Sequence, residues 1–181
     1  MLRFKLLIFA FLLFSFAVQA EERLNAKQLY LTGIKSFSSG DYKKSAVCFT
    51  EFISRYSEEE MMQKAIPRIT YFLACSFYNT RRMDRAIKEF NKYLKLAPKG
   101  KYRKDVLFRL ASAYQSLKEP EKAVKTFQKL LSEFPNFKDK TDVEFQIAVC
   151  KLVQEKYSSA IPLLEKLSTQ KTNPDIADSS L

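Results

Sequence analysis

The chain has 181 residues, 46% apolar and 28% charged, with 31 Lys and Arg against 20 Asp and Glu for a net charge of +11. That is the size of one domain or one short repeat array, with enough apolar residues for a core and too many charges for a membrane bundle. Three Gly and six Pro exclude collagen-like and low-complexity chains, and the absence of His removes the usual general base, the usual Ser and Cys triads and most zinc sites.

Arg3 and Lys5 precede an apolar run from Leu6 to Val18, interrupted by Ser15 and closed by Val18-Gln19-Ala20 and then Glu21-Glu22. This three-part layout predicts a cleavable export signal over residues 1–20, with a mature chain starting near Glu21. A helix of that length spans about 20 Å, short of the roughly 30 Å of a bilayer core. The expected location is the periplasm of a Gram-negative-type envelope. No Cys precedes Cys48, so an acylated lipoprotein cysteine has no candidate.

Four segments then align. Ser45, Ala86, Ala123 and Ala160 are each followed at similar spacing by large apolar residues (Phe49 and Phe52, Phe90 and Tyr93, Phe127 and Leu130, Leu164 and Leu167), and they recur at separations of 41, 37 and 37. Twelve residues before each lies another small residue: Gly33, Ala74, Ala111 and Ala148. Around both sets the apolar spacing is i, i+3, i+4, i+7, a helix face. A fixed period of this size marks an α-solenoid of paired helices, A and B, joined by short turns. The turns fall at Ser39-Gly40, Thr80-Arg81-Arg82, Leu117-Lys118-Glu119 and Gln154-Glu155-Lys156. Pro98 and Pro135 stop B helices, whereas Pro67 and Pro120 suit first helical turns. Pro162 falls inside the fourth B segment, so that helix is expected to start near Ser158 or Ser159, or to kink. The expected repeats cover about 26–60, 67–100, 104–137 and 141–170 within a domain of 21–170, and residues 171–181 form a tail or the start of a truncated repeat.

The Gly/Ala, aromatic, Ala, Phe, Pro series resembles the tetratricopeptide repeat, most specifically in repeats two and three. Repeat one departs with Ser45 and Ser57 for the usual Ala and Pro, and repeat four lacks the closing Pro. The phrases around Gly40–Tyr56 and Tyr114–Phe137 are similar to an envelope branch of that family. It includes the lipoprotein of the outer-membrane β-barrel assembly machine and the periplasmic protein associated with Tol–Pal.

The resemblance implies a non-catalytic scaffold that holds a protein or peptide segment on a concave face lined by A helices, as a component of envelope assembly or maintenance. On that geometry Lys27, Tyr30, Ile34, Arg68, Tyr71, Tyr78, Phe108 and Gln115 face the groove. Tyr30 and Ile34 stand where chaperone-binding members carry Lys and Asn, so an apolar extended or helical segment fits better than an acidic C-terminus. Phe37, Phe108 and Phe145 either line this groove or pack between A helices.

Arg81 and Arg82, with Lys99, Lys101, Arg103 and Lys104, form basic clusters that are either solvated loops or an attractor for cell-wall polymer or anionic lipid. Nucleic acid is not an expected partner of an exported chain. No phosphate loop can be built from Gly33, Gly40 and Gly100, and Cys48, Cys75 and Cys150 form no C-x-x-C pair, so no metal or cofactor is expected. Cys48 and Cys75 lie on helices that should pack, which leaves a bridge open beside the alternative of buried free thiols. At the C-terminal end Leu163, Leu164 and Leu167 are expected to be partly bare, covered by the tail, a partner or a second copy.

Overall fold

A computed structural model describes residues 24–172, with side chains as far as residue 169. The expected export signal and nearly all of the expected tail lie outside the described residues. Among the described residues there are eight helices and no strand. They are α1 (24–38), α2 (Tyr42–Tyr56), α3 (Ile66–Asn79), α4 (Met83–Leu96), α5 (Arg103–Ser116), α6 (Pro120–Glu133), α7 (Lys140–Val153) and α8 (Tyr157–Thr172). Odd-numbered helices are the A helices of the sequence repeats and even-numbered ones the B helices. The chain divides into two compact units between Thr80 and Arg81, inside the second repeat.

The turns between A and B share one backbone device. Gly40, Arg81, Lys118 and Glu155 all have positive φ, at +81°, +61°, +57° and +58°. Each lies seven residues after the small residue of its A helix. After α5 the Lys118 N–H donates to the Gln115 carbonyl and the Glu119 N–H to the Tyr114 carbonyl; after α7 Glu155 and Lys156 repeat this with Leu152 and Lys151. This pairing of last-turn carbonyls is a Schellman cap, whose left-handed residue favours Gly. Only repeat one supplies it.

In the N-terminal unit α2 packs on α3. Phe49, Phe52, Ile69, Leu73 and Ala74 are buried there. Ser45, in place of the usual Ala, is fully buried, and its hydroxyl lies 3.0 Å from that of Ser76, which also reaches the Phe72 carbonyl at 2.8 Å. The substitution is thereby satisfied without water. Cys48 and Cys75 are both buried and neither is in a disulfide, so no bridge joins α2 to α3. Cys48 instead lines a recess with Asn25, Gln28, Leu29 and Thr32 of α1.

In the C-terminal unit α4 to α8 pack successively. One cluster joins Leu107 and Ala111 of α5, Phe127 and Leu130 of α6, and Val143 and Ile147 of α7. Helix α8 begins at Tyr157, a residue or two before the expected start, and carries Pro162 within it. The proline sits early in the helix, where the one N–H it lacks would have returned to Ser158. Leu167 is buried and Leu163 packs against the cluster, so this end is less bare than its sequence suggests. No described helix is long and apolar enough to cross a membrane.

Candidate functional site

The A-helix residues of the N-terminal unit come first. Lys27 and Arg68 are exposed, and Tyr30, Ile34, Tyr71 and Tyr78 are half-buried. The Arg68 guanidinium carbon lies 5.8 Å from the centre of the Tyr30 ring and 5.7 Å from that of Phe72. Phe72 also meets Tyr71 at 5.2 Å and Phe37 at 5.0 Å, both edge to face. These contacts make a surface of aromatic rings with one cation fixed on it. Edge-to-face pairs contribute about 0.5–1.5 kcal/mol each, and a cation over an exposed ring about 0.5–1 kcal/mol. The cluster is thus held in place before anything binds.

Phe72 is the residue that groove-position reasoning missed. A signal was present, since Arg68 and Phe72 are four apart on one helix and must be neighbours.

In the C-terminal unit the expected groove residues are already engaged. Phe108 is half-buried between Phe127 at 6.2 Å and Phe137 at 5.9 Å. Of the two readings left open for it, packing describes its surroundings. The Gln115 side-chain amide donates to Gln146 Oε1 at 3.0 Å and to Cys150 Sγ at 3.2 Å, tying α5 to α7. Burial pushes the Cys150 thiol above its ordinary pKa, against the opposite pull of the Gln115 hydrogen bond; burial does the same at Cys48. Both thiols are neutral and poorly nucleophilic at neutral pH. Phe145, the repeat equivalent of Phe108, is half exposed at 48%.

The basic residues do not converge. Arg81 and Arg82 precede α4, whereas Lys99, Lys101, Arg103 and Lys104 follow its far end. A helix of that length separates the two groups by about 20 Å. Arg103 is not a free cation: its Nε and an amino nitrogen donate to both carboxylate oxygens of Glu133, at 2.6 and 2.7 Å. This bond holds the Glu133 carboxyl below its ordinary pKa and raises that of Arg103. Lys101 and Lys104 are exposed and lie over the rings of Tyr102 and Phe137. Among the described residues no group of three His, Cys, Asp or Glu side chains is arranged to hold a metal.

Residues 67–99 and 105–136 each match the tetratricopeptide repeat. The chain carries tetratricopeptide repeats. No curated protein matches it. Among solved structures it resembles MamA, with a TM-score of 0.65 at 16% identity, over 87% of this chain and 84% of that one. It also resembles a kinesin light chain of Podosopora anserina with nearly identical TPR-like repeats, with a TM-score of 0.61 at 11% identity, over 82% and 76%. The TPR2B domain of yeast Sti1, in its pHsp70 complex, matches with a TM-score of 0.54 at 20% identity, over 71% and 98%. At such identities the likeness shows the fold, an all-α solenoid of tetratricopeptide-like repeats.

Proposed function

We propose that this chain is a non-catalytic scaffold that holds a segment of another protein on the A-helix face of its N-terminal unit. The observation that carries this reading is the preassembled cluster of Tyr30, Arg68, Phe72 and Tyr71. Aromatic and Arg side chains, fixed and partly exposed, are where binding energy concentrates at interfaces. Ile34 and Tyr78 supply further half-buried surface on the same helices, and Lys27 a charge. Two of the similar folds, the Sti1 domain and the first TPR of Spaghetti, are described in complexes with pHsp70 and an HSP90 peptide. That supports peptide binding as the mode. Tyr30 and Ile34 favour an apolar segment over an acidic C-terminus here.

The setting we propose is the periplasm, as part of envelope assembly or maintenance. It is supported by the export-signal layout of residues 1–20 and by the similarity of the Gly40–Tyr56 phrase to the envelope branch. Binding of cell-wall polymer or anionic lipid through the basic loops is the weaker reading. Its cations are split between the two ends of α4, and Arg103 is spent on Glu133.

Photo-crosslinking in the intact envelope tests both. A probe at Tyr71 or Tyr78 is expected to capture a defined protein segment, insensitive to salt, and Arg68→Ala is expected to weaken that capture. Capture at Lys101 but not at Tyr71, lost as ionic strength rises, would overturn the groove reading. Recovery of a mature chain beginning near Glu21 from the periplasmic fraction tests the location.

A further inference from the structure

The two A helices of the N-terminal unit carry charge of one sign. Among the described residues α1 holds Lys27 and Lys35 and α3 holds Arg68, and neither helix contains an Asp or Glu. The register position of Lys27 and Arg68, six before the small residue, is filled by Asp105 in α5 and Asp142 in α7. In α5 that aspartate closes an ion pair at 2.7 Å with Arg109, one turn on. The residue one turn on from Arg68 is Phe72, so α3 sets a ring beside its charge where α5 sets an opposite charge.

The acids elsewhere in this unit do not supply the missing partner. The Asp41 side chain caps α2 by accepting the Lys44 N–H, and Glu51 pairs with Arg55. Glu58, Glu59 and Glu60 lie in the loop before α3, and among the described residues no ion pair joins them to Arg68.

Arg68 is exposed, with its guanidinium over the rings of Tyr30 and Phe72. The rings attract the charge but bring no oxygen to its N–H groups, and among the described residues no oxygen accepts from them. A guanidinium carries its donors in one plane, in a fork that matches a carboxylate. The completed bond is present elsewhere in this chain, where Arg103 donates to both oxygens of Glu133. Arg68 is the same fork, held on an aromatic surface and lacking its acid.

On the reading that this face holds a protein segment, we infer that the segment carries an internal Asp or Glu next to an aromatic or aliphatic side chain. The carboxylate takes the fork of Arg68, and the apolar side chain lies on the half-buried rings of Tyr71 and Phe72. Lys27, exposed at the same register of α1, adds positive potential for a second acid. The acid is a side chain and not a chain end, because Tyr30 and Ile34 stand where chaperone-binding members of the family hold a terminal carboxylate. One exposed ion pair contributes selectivity more than affinity, so binding survives salt while the preference for the acid shrinks.

The test selects a phage-displayed library of random peptides against the purified full chain and measures the enriched peptides, labelled with fluorescein, by anisotropy. They are expected to share an Asp or Glu beside an aromatic or aliphatic residue and to lose binding to Tyr71→Ser. Replacing that acid by its amide should weaken binding to the native chain roughly fivefold and leave binding to Arg68→Gln nearly unchanged, a coupling that only a direct pair gives. Selection against Arg68→Glu should instead enrich Lys or Arg at the same place. Arg68 is exposed, so the helical circular dichroism of both variants should match that of the native chain. Peptides that need Tyr71 but show no preference for an acid, or keep that preference on Arg68→Gln, would overturn this inference and leave the binding face standing. Failure to enrich any peptide whose binding needs Tyr71 would overturn both.

Discussion

Three of the four A-to-B turns place a residue with a side chain where the backbone is left-handed, and this makes stability at the turns predictable. Lys118 and Glu155 sit at φ of +57° and +58°, are exposed, and make the same capping bonds through their backbone N–H groups. Holding an L-residue there costs about 1–2 kcal/mol. Glycine removes that cost but gives back roughly 0.5–1 kcal/mol through the freedom of the unfolded chain. Lys118→Gly and Glu155→Gly should each therefore stabilise the C-terminal unit by about 0.5–1 kcal/mol. The sites are 37 residues apart, so the double variant should be close to additive.

Gly40→Ala is the mirror experiment. A Cβ there meets nothing within 4 Å, so its expected loss of about 1 kcal/mol comes from φ alone. With a urea dependence of about 2–3 kcal/mol per molar, each Gly variant should raise the denaturation midpoint by roughly 0.2–0.5 M. Hydrogen exchange should place the gain in α5 and α6 for Lys118 and in α7 and α8 for Glu155, because repeats stabilise their neighbours. A lowered midpoint for Lys118→Gly, or an unchanged one for Gly40→Ala, would show that the turns are not the source of strain.

Gly33 is forced by approach rather than by φ: a Cβ there would lie 2.6 Å from the buried Phe49 ring. Gly33→Ala gains about 1 kcal/mol of helix propensity and loses about 1–3 kcal/mol to overpacking, so thermal melting should show a net loss that Phe49→Leu relieves. Thr70 is fully buried with a hydroxyl that has no partner. Thr70→Val should raise stability by about 1 kcal/mol in chemical denaturation. Glu133 is held below its ordinary pKa by Arg103, so its contribution is complete above the unfolded carboxylate value near 4.3 and is lost as pH falls through the folded value. Arg103→Met should cost about 1 kcal/mol at pH 7 and flatten the stability curve below about pH 5; an unchanged acid limb would show that the bidentate pair contributes nothing.

The architecture was legible because it rests on periodicity. The small residues at intervals of 41, 37 and 37 and the apolar i, i+3, i+4, i+7 faces translate directly into paired helices, and the two segments with the fullest repeat pattern are those that match the tetratricopeptide repeat. Ser45 read as a departure from the pattern. Its partner Ser76 is thirty-one residues away on another helix, and a pattern tuned to one residue type per position does not register a pair. Pro162 was harder because a proline rule fixes where a helix resists extension, not whether packing of Leu163 and Leu167 outweighs one lost hydrogen bond.

The binding surface was legible only as a list of positions. Repeat register identifies which residues belong to A helices, but it is silent on which have already found partners. Gln115 and Phe108 occupy register positions like those of Tyr78 and Tyr71, yet in the C-terminal unit a neighbouring Gln146 and Phe137 have engaged them. The same register becomes informative when one repeat is set against another. Gln28 and Thr32 of α1 stand exposed at the positions where Val143 and Ile147 of α7 are buried aliphatics. Equal register positions thus carry polar residues in one repeat and apolar ones in another, and only the neighbours that the fold supplies decide which of them are buried.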